Sequence, residues 1–127
     1  GPITIEHLKK LSYSQAVFEE TLRLYPPIWI FCRKSTTEIQ FDNYWIPKDH
    51  EVWVCPFTLH RHSEFFKEPE VFNPSRFLKE NRTFLPKHAY IPFGVGERSC
   101  IASYLAKLIS IIVLVTMAQN VSEISLY

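Results

Sequence analysis

The apolar positions of this chain change period twice. From Ile3 to Leu11 they form a short mixed segment that reads as a helix, and Ser12 is placed to cap a second one running from Tyr13 to Leu24. Within it Tyr13, Ala16, Val17, Glu20, Thr21 and Leu24 fall on one face at helical spacing, which predicts that this face is buried. Pro26 and Pro27 end the helix, because neither ring nitrogen can donate a hydrogen bond and Pro26 disfavours a helical Tyr25. From Trp29 to Cys55 the period falls to two. Ile39 and Phe41, Tyr44 and Ile46, then Val52 and Val54 alternate with polar residues, and turns are expected at Asp42-Asn43 and Pro47–His50. That pattern predicts a small antiparallel β meander.

Further on, Thr58–Phe66 is expected to hold a short helix, and Glu68–His88, broken by Pro69, Pro74 and Pro86, an irregular connection. Unstructured connections this long are uncommon in a compact domain, so something must order the stretch between Phe66 and Ala102. A bound cofactor is the expected source of that order. Ile101–Ala118 closes the pattern as an 18-residue apolar helix with Lys107 near its centre. It is slightly short of the ~20 residues a bilayer requires, so a buried core helix is the preferred reading over a membrane span. The elements together predict a mainly α chain with a small antiparallel β meander.

Composition narrows the picture. The 127 residues are 46% hydrophobic and 15% aromatic with only three glycines, which is enough apolar surface for a packed core. Fourteen basic residues oppose 13 acidic ones, and no basic stripe appears, so the chain does not read as a nucleic-acid binder. Cys32, Cys55 and Cys100 are odd in number and widely spaced, which fits reduced thiols in an intracellular setting better than a disulfide scaffold. The start, Gly1-Pro2, shows neither Met nor an apolar leader, so no signal peptide is visible.

Two groups of residues carry candidate chemistry. Glu20 and Arg23 lie three apart on one helical face. A pair at the surface would contribute little, but Glu20 sits in the predicted buried stripe, where a carboxylate needs a cation beyond the reach of solvent. Arg23 offers one, with donors to spare. The second group is Phe93–Cys100, FGVGERSC. Gly94 and Gly96 permit positive φ and close approach of backbone to a ligand. Cys100, at the predicted start of the apolar helix, has the placement of a metal-binding thiolate, and Arg98 would meet a nearby anion. The competing reading for Cys100 is an inert buried thiol. His60-Arg61-His62 lacks further ligands at metal spacing, Gly94-x-Gly96 lacks the rest of a phosphate loop, and Ser99 has no placed base.

The ordered set Phe93, Gly96, Arg98 and Cys100 resembles the F-x-x-G-x-R-x-C-x-G loop of the cytochrome P-450 family, with Ala102 at the position of the last glycine. Glu20-x-x-Arg23 followed by Pro26-Pro27 is similar to the family's E-x-x-R helix, and Phe72–Phe77 to the segment whose arginine, here Arg76, completes a buried triad. Arg33 is similar in position to an arginine that reaches a haem propionate. The resemblance implies the carboxyl-terminal part of that fold, a single partial domain over residues 1–127. It implies haem b bound by Cys100 as axial thiolate, with Arg98, Arg33, Phe93, Gly94 and Gly96 around it and Glu20, Arg23 and Arg76 as scaffold. The implied activity is insertion of one oxygen atom of O₂ into an apolar substrate, fed by an electron-donor reductase or ferredoxin. The helix that carries the family's oxygen-activating acid and alcohol has no counterpart here. The chain alone is therefore expected to be inactive, to expose apolar surface and to self-associate unless the amino-terminal portion of the same fold covers it. A parent with an upstream anchor would lie on the cytosolic face of a membrane. A non-catalytic remnant and a small haem-binding module stand as alternatives.

Overall fold

The computed structural model of the chain describes residues 4–121 and 123. The first helix, α1, spans Ile5–Lys10; Ile3, where the pattern began it, lies outside the described residues. The second, α2, spans Ser12–Leu24, with Leu11 rather than Ser12 at the cap. The Leu11 carbonyl accepts the Gln15 amide hydrogen at 3.0 Å, so Ser12 is already inside the helix and caps nothing with its side chain. The buried face is also rotated from the predicted one. Tyr13 is 60% exposed and Thr21 is exposed, whereas Phe18, Glu19, Leu22 and Arg23 join Ala16, Glu20 and Leu24 inside. The apolar stripe misled because three charged residues on that face, Glu19, Glu20 and Arg23, are buried against partners distant in sequence.

The β region is antiparallel throughout. Strand β1 (Phe31–Lys34) pairs with β4 (Glu51–Val54), and β2 (Ile39–Phe41) with β3 (Tyr44–Ile46), so one hairpin is nested within the other. Ser35 joins the two ladders: its backbone exchanges hydrogen bonds with His50 and Asp49 at 2.9 Å, and its hydroxyl donates to the Pro47 carbonyl at 2.6 Å. The turns place Asp42 and Asp49 at positive φ, which short polar side chains tolerate.

Helix α3 is Pro56–Leu59, starting and ending earlier than expected because Pro56 is suited to a first helical position and turns take over from His60. The connection predicted to be irregular contains a 3₁₀ turn at Pro74–Phe77, with the Asn73 side chain accepting the Ser75 amide hydrogen at 3.1 Å, and one α turn, α4, at Lys79–Arg82. Ala16, Phe66, Phe77 and Ala89 form the central apolar cluster, flanked by Leu85 and Tyr90.

Helix α5 spans Ser103–Asn120 and is not the buried core helix the pattern suggested. Ile111 is its one buried residue, while Leu105, Ile109, Val113 and Met117 are exposed. By length and composition α5 is apolar enough to cross a membrane. Its amino-terminal half is tied to α2 by Lys107, whose ammonium lies 3.3 Å from Glu19.

Candidate functional site

The site is built on a buried charge network. Glu20 and Arg23 are both 0% exposed, and their side chains meet fork to fork, Nε to Oε2 at 2.7 Å and Nη2 to Oε1 at 2.8 Å. Arg23 has five N–H donors. The other three reach the carbonyls of His60 (2.9 Å), Pro69 (2.6 Å) and Val71 (3.2 Å). Glu20 Oε1 also accepts the Asn73 amide hydrogen at 2.8 Å and lies 3.4 Å from Arg76 Nε. Arg76 in turn donates to the Glu68 carbonyl at 2.8 Å. The three charges together hold the stretch from Glu68 to Arg76, so the chain's own side chains supply part of the order between Phe66 and Ala102.

A second set of bonds shapes the cysteine loop. The Cys100 amide donates to the Phe93 carbonyl at 2.8 Å, and the Gly94 amide to the Ile91 carbonyl at 3.0 Å. Gly94 and Gly96 sit at φ of 73° and 70°, the left-handed region where a side chain would be strained. Helix α5 begins at Ser103, two residues later than predicted, so Cys100 precedes it; the Cys100 carbonyl accepts the Ser103 amide hydrogen at 3.3 Å.

Cys100 is exposed at the edge of a cavity of about 310 Å³ between the loop and the start of β1. Pro27, Ile28, Phe31, Pro56, Ile91 and Phe93 give it apolar walls, and Arg33 and Arg98 stand at its margin. Arg33 lies over the Phe31 ring at 4.8 Å and donates to the Cys32 carbonyl at 2.8 Å. Among the described residues neither Arg33 nor Arg98 has a carboxylate partner. Of the residues predicted for this site, Gly94 lines the cavity and Gly96 shapes the turn outside it. An apolar cleft with one soft thiol and two unpaired cations suits a flat, largely apolar ligand that carries both a metal and anionic groups. Haem meets that description, and the residues present fit it.

Two contributors were missed: the sequence showed His60 only as part of a His-Arg-His tract without metal-ligand spacing, and Glu19 gave no signal. His60, 0% exposed, accepts the Ile91 amide hydrogen at Nε2 at 2.9 Å and packs on Tyr90 with ring centroids 5.1 Å apart. Burial, aided by the charges of Arg23 and Arg61, pushes its pKa down to about 4. Glu19 joins Arg82 (2.7 Å), Lys107 (3.3 Å) and, through its carbonyl, the Tyr90 hydroxyl (2.9 Å). Burial pushes that hydroxyl's pKa far up, with Glu19 adding to the effect.

Residues 1–122 match the family model described as "Cytochrome P450". Over 105 residues, covering 83% of this chain and 20% of the relative, the chain is 40% identical to "Cytochrome P450 4V2" of Rattus norvegicus. It is 44% identical over 98 residues to "Taxane 10-beta-hydroxylase" of Taxus cuspidata, covering 77% of this chain and 20% of that one. It is 39% identical over 92 residues to "Cyclooctatin synthase" of Streptomyces melanosporofaciens, again 20% of the relative and 72% of this chain. The chain thus spans about a fifth of the length of these curated relatives.

Proposed function

The chain belongs to the cytochrome P-450 family, and we propose that it forms the cysteine side of a haem site in a monooxygenase acting on apolar substrates. The observation that carries this reading is the apolar cavity with Cys100 and two carboxylate-free arginines at its edge. Cys100 would bind the iron as thiolate. Arg98 and Arg33 would neutralise the two propionates, and Phe93 would cover the thiolate side. A haem so ligated supplies the oxygen-activating and oxygen-inserting chemistry of the family.

The protein's own part at this face is positional. The Phe93–Cys100 closure fixes the backbone that carries the sulfur, and the apolar walls shape the cavity onto which it opens. The Glu20–Arg23–Arg76 network holds the 68–76 backbone and stands outside the cavity lining. The remaining parts of the proposal are an electron-donor reductase or ferredoxin as partner, an intracellular location in which Cys32, Cys55 and Cys100 stay reduced, and a covering of α5 by further segments of the same fold. Without that covering the 127 residues form a partial domain and do not hydroxylate.

The test is the reduced carbon-monoxide difference spectrum of the full-length protein. A thiolate-type Soret band that Cys100→Ser abolishes is the expected result. Persistence of that band in the variant would remove Cys100 from the ligand position and overturn the reading.

A further inference from the structure

The buried charge network and the cysteine loop are described above as separate structures, but one residue touches both. The His60 carbonyl accepts a hydrogen bond from Arg23 at 2.9 Å, and its ring Nε2 accepts the Ile91 amide hydrogen at 2.9 Å. The Ile91 carbonyl then receives the Gly94 amide at 3.0 Å, and the Phe93 carbonyl receives the Cys100 amide at 2.8 Å. A continuous path of backbone and side-chain bonds therefore runs from the Glu20–Arg23 ion pair to the thiol-bearing residue, and His60 is its joint. Ile91 is itself buried and lines the cavity, so a shift of its amide moves a wall of the ligand site.

We propose that His60 is a positioning residue for Cys100: a neutral imidazole whose acceptor nitrogen registers the Ile91–Cys100 loop against the buried ion pair. The proposal rests on the haem-thiolate reading only for its consequence at the ligand; the positioning of the loop stands independently of it.

The tautomer follows from the geometry. An Nε2 that accepts must be unprotonated, so the proton of the neutral ring resides on Nδ1, a buried atom that faces the backbone of Leu22 and Arg23 without a well-formed hydrogen bond among the described residues. Burying an imidazole is costly unless its ring nitrogens are satisfied, and the bond at Nε2 meets that requirement on one side. The acceptor at Nε2 is what the arrangement retains. The backbone of Arg23 and Leu22 favours a second proton, but burial and the nearby cations outweigh it. Arg23 of α2 and the adjacent Arg61 are cations that disfavour a second proton, the Tyr90 ring packs on one side, and Glu20 is already engaged by Arg23 and Arg76. The neutral form is therefore held by the surroundings, and protonation would turn the acceptor into a donor aimed at an amide.

The experiment compares wild type, His60→Leu and His60→Gln in the full-length protein by amide hydrogen exchange, together with the reduced carbon-monoxide spectrum. Leucine keeps the volume and removes the acceptor, and glutamine places an oxygen where Nε2 stood. In His60→Leu the amides of Ile91, Gly94 and Cys100 should exchange roughly tenfold faster, the scale of one lost hydrogen bond. In His60→Gln they should return to wild-type rates. The thiolate band should broaden or shift in the leucine variant and recover in the glutamine variant.

In wild type the same amides should lose protection as the pH is lowered toward 4, and in His60→Gln they should not. This arm decides the matter even when His60→Leu does not fold. Unchanged exchange at the three amides in His60→Leu, or equal loss in the leucine and glutamine variants, would overturn the proposal. A wild-type protein with no thiolate band would overturn the haem reading, while the exchange data would still judge the role of His60.

Discussion

Replacing Arg23 by alanine is a severe perturbation of this fold. The side chain makes five hydrogen bonds with no solvent access, two to Glu20 and three to the carbonyls of His60, Pro69 and Val71. Its removal leaves Glu20 buried with the Asn73 amide at 2.8 Å and a distant Arg76 at 3.4 Å as its remaining partners. Breaking a buried pair from one side typically costs about 3–5 kcal/mol, and the three orphaned carbonyls put Arg23→Ala at the upper end of that range. Arg76→Ala should cost only about 1 kcal/mol, since its bond to Glu20 is long and its other partners are near the surface. The informative control is Glu20→Leu with Arg23→Leu. Buried ion pairs can often be exchanged for apolar residues without loss, but here the pair also satisfies backbone groups that leucine cannot reach. The double variant should therefore stay at least ~2 kcal/mol less stable than wild type. Urea unfolding of the full-length protein measures all three, read as shifts in midpoint at constant slope. A loss below ~1 kcal/mol for Arg23→Ala, or a leucine pair as stable as wild type, would refute this account.

Further expectations concern pH, the second ion cluster and α5. The folded pKa of His60, about 4, lies below the ordinary 6.5, so as pH falls the unfolded chain takes the proton first. Its contribution to stability is complete above pH 6.5 and is lost toward pH 4, by up to about 3 kcal/mol, and the melting temperature of His60→Gln should not show that slope. Glu19→Gln should cost about 1 kcal/mol in a thermal melt, since Arg82 and Lys107 both retain water access; a loss several times larger would mean that Glu19 alone fixes α5. The isolated 127 residues should self-associate through α5, whose Leu105, Ile109, Val113 and Met117 are exposed, and a monomer at all concentrations in sedimentation would contradict this.

What the sequence made readable was whatever announces itself by side-chain spacing. Glu20 and Arg23 are three residues apart on a helix, and Phe93, Gly94, Gly96, Arg98 and Cys100 lie within eight positions, so both groups stand out on local grounds. The strands were readable for the same reason, since their alternation survives even though Ile39 and Phe41 are exposed. Arg76, 56 positions from Glu20, was reachable only through the resemblance to a family. His60 stood out only as part of a His-Arg-His tract that lacked metal-ligand spacing; its place in the fold was not reachable. Its role depends on a ring nitrogen meeting the amide of Ile91, and any residue supplies an amide. Three of the five Arg23 partners are likewise carbonyl oxygens, invisible in a pattern of side chains.

The same point explains how the irregular 68–88 stretch is held. A segment with three prolines has few ladder bonds of its own, so its carbonyls and amides must be satisfied from elsewhere. An apolar core can bury such a segment but cannot bond it. A fully ionised guanidinium can, because its donors are fixed in a plane and outnumber what one carboxylate takes up. Glu20 is then required for a second reason: it neutralises Arg23, so that carbonyl dipoles alone need not carry the buried charge. The charge pair thus does for this irregular stretch what a ladder does for a sheet. His60 extends that service to the Cys100 loop, whose regular structure is a single 3₁₀ turn at Gly96–Arg98.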